Sequence, residues 1–191
     1  LRVIWAMHVT GQLSAAHVER LLDDADPAVR GWVIQLAVER RDASPPLLER
    51  LQRLAADDPS PVVRLAICSA LQRLPLEARW PIAAALVAHA EDADDHNLPL
   101  MNWYAIEPLV PVDPVRAVAL AAASRIPTVS RFIVRRAASE EQCYQPLVAQ
   151  LSASDSATRK WMLEEIVAAL AARGRMPAPP AWEQGYERLR A

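Results

Sequence analysis

Apolar residues along this chain recur at intervals of three and four, the spacing that gathers them on one side of an α-helix. Val18, Leu21 and Leu22 follow Ser14, a natural helix cap, and Val29, Val33, Leu36 and Ala37 follow Asp26-Pro27, a cap and first-turn pair. Leu47, Leu48, Leu51 and Leu54 follow Ser44-Pro-Pro46, and Asp57-Asp-Pro-Ser-Pro61 opens the next segment. Before them, Leu1 to Val9 reads as a helix stopped at Gly11, a residue that tolerates the left-handed backbone of a helix end. Further helices are expected over Leu76–Ala90 (with Pro81 in its first turns), Leu98–Val110, Val115–Ser124, Ile126–Ala138, Glu140–Leu151 and Thr158–Arg173. Met176-Pro-Ala-Pro-Pro180 reads as a linker, and Trp182–Leu189 as a short terminal helix. No stretch alternates with period two for long enough to make a strand.

The segments repeat. Val29-Arg30-x-x-Val33 matches Val63-Arg64-x-x-Ile67 at an offset of 34 residues, and Asp155-Ser-Ala-Thr-Arg159 echoes Asp26-Pro-Ala-Val-Arg30. Two helices in each period of roughly 30–45 residues is the mark of stacked helix pairs. The expectation is an all-α fold, a right-handed α-α superhelix of about five helix pairs occupying residues 1–191 as one domain. Ile133 and Leu36 are its expected core residues, and its opening residues read as a start in mid-helix, so the chain reads as a segment of a longer protein.

Composition agrees with this and narrows the chemistry. Among 191 residues only 4 are Gly, 52% are hydrophobic, and the 16 Pro sit mostly at helix ends. The 21 basic and 23 acidic residues leave a net charge of −2, which supplies no overall pull toward nucleic acid or an anionic membrane. No apolar run approaches the roughly 18 residues of a membrane span. Cys68 and Cys143 lack C-x-x-C spacing and are expected as buried free thiols. Neither a C-x-x-C-H haem motif nor a Gly-rich phosphate loop is present, so no haem, flavin or quinone is expected on this chain.

Asp-Pro-x-Val-Arg at the start of a second helix resembles the HEAT repeat, an armadillo-like helical architecture, and Asp58-Pro-Ser-Pro-Val-Val-Arg64 is similar. In that family the Asp and Arg form a ladder between repeats, which implies structural roles for Asp26, Arg30, Asp58 and Arg64. The central stretch is more distinctive. Asp94-Asp-His-Asn-Leu-Pro-Leu-Met101, Trp103-Tyr-Ala-Ile-Glu-Pro-Leu109, Asp113-Pro114 and Ile126-Pro to Arg135-Arg136 resemble the HEAT region of membrane-bound dehydrogenases. Those bacterial proteins join a sorbosone-dehydrogenase-like β-propeller, a HEAT region and a c-type cytochrome domain. The resemblance implies an exported or periplasmic redox parent, within which this chain is a connector lacking the haem motif C-x-x-C-H. Its implied partners are neighbouring domains of that parent, or another protein.

Three groups of residues in the central stretch carry candidate chemistry. Asp92, Asp94, Asp95 and His96 are the most metal-like set, with His89 nearby. Their spacing fails the EF-hand pattern, zinc would need more nitrogen or sulfur ligands, and the plainer expectation is a loop in which Asp95 or Asn97 caps the helix from Leu98. Glu107 lies in a helix apolar on nearly every side, so it is expected to be buried against Arg131 or Arg135, four apart on one helix edge. No nucleophile or second acid accompanies it, and no catalytic residue is assigned. Arg125, Arg131, Arg135 and Arg136, with Trp103 and Tyr104 nearby, could instead form a phosphate-binding ridge of the kind HEAT-like DNA glycosylases use. Six Trp spread about one per helix pair are expected in the core. Two classes of function therefore stand: a non-catalytic scaffold or protein-interaction module, and a nucleic-acid-binding protein on the same fold.

Overall fold

The computed structural model describes residues 1–171, 178 and 180–190, and everything structural below concerns those residues. The expected linker at 176–180 falls largely outside them. The described residues are helical and hold no strand. They fall into two compact units, Leu1–Ala105 and Ile106–Ala191.

The first unit contains α1 (Arg2–Val9), α2 (Ala15–Leu21), α3 (Pro27–Ala37), α4 (Pro45–Asp57), α5 (Pro61–Leu71), α6 (Leu76–Leu86) and most of α7 (Leu98–Ile106). Its helix starts follow the local chemistry. Ser14 accepts the His17 N–H, Asp26 accepts the Ala28 N–H, and proline occupies the first turn of α3, α4 and α5, where a missing N–H costs nothing. Gly11, just after α1, sits at φ +72°, as its left-handed role requires. Helices α3 and α5 pack along one another, as do α4 and α6, with α4 against α5 closing the hairpin between the two layers. Contacts join the starts of α3 and α5 (Arg30 to Asp58) and then Gln35, late in α3, to the Ala66 carbonyl in mid-α5 and to Arg73 just past its end, so the two helices run in the same direction.

The second unit contains α8 (Pro114–Ala123), α9 (Pro127–Ala137), α10 (Tyr144–Ala153), α11 (Ser156–Leu170) and α12 (Ala181–Arg190). Helix α8 packs on α9 and α10, α9 on α11, and α10 on α12. The last contact is close: a Cβ at Gly185 would come within 2.5 Å of Val148 Cγ1, so only glycine fits there without a shift.

Several sequence expectations change in detail. Leu98–Val110 is not one helix, because Pro108 disfavours the α conformation before it; α7 stops at Ile106 and a 3-10 turn carries Glu107–Leu109. Similar turns at Ala90–Asp92 and Glu141–Cys143 flank α6 and α10. Ile133 is fully buried, but Leu36 is only half-buried; on α3 the core positions are Val33, Ile34 and Gly31. Of the six Trp only Trp80 is buried, and Trp5 and Trp32 meet edge to face on the surface at 5.0 Å.

Candidate functional site: ion-pair ladder and apolar groove

The residues singled out by charge are mostly engaged with one another. Arg30 at the start of α3 reaches Asp58, just before α5, through two bonds of 2.8 Å, Nε to Oδ2 and Nη2 to Oδ1. Arg64, the same position one repeat later, makes the same fork with Asp92: Nε to Oδ2 at 2.7 Å and Nη2 to Oδ1. Each arginine also ties back to the loop before its own helix, Arg30 Nη1 to the Asp24 carbonyl at 2.8 Å and Arg64 Nη1 to the Asp58 carbonyl at 3.0 Å. The planar guanidinium supplies the fork and the extra donor together, which a lysine could not. The hydrogen bonds that Arg30 and Arg64 donate to Asp58 and Asp92 raise the arginines' pKa, outweighing the burial that works the other way. Asp26 makes a different contact, serving as the cap of α3.

This geometry accounts for the acidic loop. Asp92 is buried in the ladder, and Asp95 caps α7 by accepting the N–H groups of Asn97 and Leu98 at 2.8 and 2.9 Å. Those two N–H bonds hold the Asp95 carboxyl below the usual range. Asp94 and His96 are exposed. His89 places Nε2 2.8 Å from the Ala55 carbonyl and Nδ1 2.7 Å from Glu91. Among the described residues no group of three or more His, Cys, Asp or Glu side chains is placed to hold a metal ion.

The expected Glu107 pair is replaced by another. Glu107 meets Arg136 (Oε1 to Nε, 2.8 Å), and Arg136 also binds Glu140; both carboxylates raise its pKa. Glu107 is not buried either: its side chain is 39% exposed, since the 3-10 turn rotates it away from the apolar face of α7. Arg131 and Arg135 instead converge on Glu165 of α11, at 2.8 and 2.6 Å, and Arg131 also lies 6.0 Å from the centre of the Trp161 ring. The spacing of two helices was legible for all these arginines; whether each turned to the earlier or the later helix was not.

Arg79 carried no assigned role, yet it is buried without a carboxylate. It donates to the carbonyls of Leu74, Gln72 and Ala105, the first two just beyond the C-terminus of α5, where a cation is favoured. Burial lowers its pKa. An arginine between Ala78 and Trp80, in a helix whose only other charged residue is Glu77, was the available signal. Cys68 and Cys143 are buried free thiols whose pKa values burial pushes up, that of Cys143 to about 11.

One concavity in the first unit is lined without a charged side chain. It is an open groove of about 490 Å³ across α3, α5 and α7. Ala28, Gly31, Trp32 and Gln35 line it from α3, at i, i+3, i+4 and i+7. Val62, Ala66 and Ser69 repeat that face on α5, and Asn97 and Met101 come from the start of α7. Trp32 is 43% exposed and Val62 51%, an apolar surface that burial would remove from water. Sequence reading missed this site because a helix stripe facing solvent looks the same as one facing the core.

The chain matches no protein-family model, no curated protein and no solved structure.

Proposed function

We propose that this chain is a non-catalytic helical-repeat scaffold that binds a protein or a neighbouring domain. The observation that carries the reading is the uncharged groove across α3, α5 and α7, set beside ionisable groups that are committed to structural pairs. Repeated Arg–Asp forks at constant spacing are what a HEAT-like right-handed superhelix of stacked pairs would need, and the reading includes that architecture. The setting we propose is the connector of a membrane-bound dehydrogenase with a c-type cytochrome domain, exported to the periplasm. No helix among the described residues is long and apolar enough to cross a membrane.

The alternative, nucleic-acid binding by a ridge at Arg125–Arg136, has less support. Arg131 and Arg135 hold Glu165, and Arg136 holds two carboxylates, so phosphates would compete with contacts already made.

Two measurements test the reading. A photo-crosslinking residue at Val62, compared with one at the exposed Gln52 of α4, should yield an adduct with a discrete protein or neighbouring domain at Val62 alone, in the full-length parent protein in its own cell. Equal crosslinking at both positions, or none, overturns the scaffold function. The parent reading frame tests the setting separately: a C-x-x-C-H motif downstream supports the redox connector, and a parent without one removes it.

A further inference from the structure

We infer that the α3–α5–α7 groove seats one amphipathic α-helix of a partner, with basic residues on the flank facing Asp26 and Asp95 and acidic residues on the flank facing Arg73. This rests on the scaffold reading and adds the kind of partner. The choice of a helix follows from hydrogen bonding. An extended segment laid on this surface would bring unpaired backbone N–H and C=O groups against apolar side chains. Gln35, the longest polar side chain in the groove, is already committed: its Nε2 donates to the Ala66 carbonyl at 2.7 Å, and its Oε1 accepts from Arg73 Nη1 at 2.8 Å. Ser69 Oγ leans on the same Oε1 at 3.5 Å. A helix satisfies its own backbone and needs from the groove only apolar contact.

Shape and charge point the same way. Small residues Ala28, Gly31 and Ala66 form the floor, with Trp32, Val62 and Met101 standing beside it. Ala28 and Val62 in the first turns of α3 and α5, and Asn97 just before α7, all line the groove, so one rim of it is the N-terminal edge of all three. Two exposed carboxylates lie on that rim next to lining residues, Asp26 beside Ala28 and Asp95 beside Asn97. At the opposite end the Arg73 guanidinium closes over Gln35. A helix of about 14 residues at 1.5 Å each spans some 20 Å, enough to cross the packed α3–α5 pair, with axes about 10 Å apart, toward Asn97 and Met101. Its apolar stripe would be flanked by opposite charges.

A displayed library of random peptides about 16 residues long, selected on the whole chain and counter-selected on Val62→Lys, tests this. Ala28→Lys serves as a second block from α3, and circular dichroism and melting confirm that each variant is folded. The expected winners carry apolar residues at i, i+3 or i+4, and i+7, with Lys or Arg on one flank and Asp or Glu on the other. They should gain helical signal on binding and lose at least about tenfold in affinity against either variant. Winners that are extended or proline-rich, yet still sensitive to the variants, overturn the helical partner and leave the scaffold reading standing. Helical winners without a charge bias overturn the flank assignment. Binding that neither variant weakens, or no winners at all, overturns the inference and removes the groove from the proposed function.

Discussion

The two units solve one problem, holding a helix to the helix two places along, with opposite arrangements of charge. In the first unit Arg30 and Arg64 each fork onto one aspartate, and the second fork is out of water: the Arg64 and Asp92 side chains are each 3% exposed. In the second unit one buried carboxylate, Glu165, takes two arginines whose side chains remain 43% and 51% exposed. One arginine there, Arg136, takes two half-exposed carboxylates. The difference lies in where the charges sit on the helices. Arg30 and Arg64 are in the first turns of α3 and α5, beside the loops that deliver Asp58 and Asp92. Arg135 and Arg136 are in the last turn of α9, where long side chains reach across while their head groups stay in water. A buried fork fixes register; a half-solvated cluster tolerates adjustment.

The sharpest break of that comparison is Arg64→Ala. It strands Asp92 in a buried place, and chemical denaturation should show a loss of about 3–5 kcal/mol, much of it recovered when Asp92→Leu is added. A loss under 1 kcal/mol would mean water reaches the fork, and the contrast between units would vanish. Glu165→Gln comes next, at about 1–2 kcal/mol, because both arginines it releases can be solvated where they stand. A loss as large as that of Arg64→Ala would place the second unit's cluster in the same class as the first unit's forks. Glu107→Gln should cost less than about 1 kcal/mol and less again in high salt, and a double-mutant cycle should couple it to Arg136 rather than to Arg131 or Arg135. Coupling to either of the latter would contradict the arrangement described.

The smallest effect is at the helix caps. Backbone N–H bonds hold the carboxyls of Asp95 and Asp155 below their ordinary value, those of Leu98 and Asn97 in one case and of Thr158 in the other. A carboxyl whose pKa is depressed by folding adds stability above its unfolded value, near 4, and loses it as pH falls through the folded value. The denaturation midpoint should therefore decline below about pH 4, one cap in each unit contributing. Asp95→Asn and Asp155→Asn, which keep a cap oxygen that does not titrate, should each flatten the decline. Unchanged slopes would show that other carboxylates set the acid limit.

Local chemistry was enough for the helices and most of their ends. Ser14, Asp26 and the first-turn prolines act within a few residues of themselves, and Pro108 carried the signal that α7 ends at Ile106. The offset of 34 residues between Arg30 and Arg64 was equally legible, and so was the plainer reading of the acidic loop as a cap for α7. What a helix stripe faces is a property of its neighbours, and that only the tertiary structure decided. Packing turned Arg136 toward Glu107 and Arg131 with Arg135 toward Glu165, gave Arg79 carbonyls for partners, and buried Asp92 while leaving Asp94 in water. It also left the Trp32 and Val62 stripes exposed, although their periodicity is that of core residues, because 3.6-residue spacing defines a face without saying whether protein or solvent lies against it.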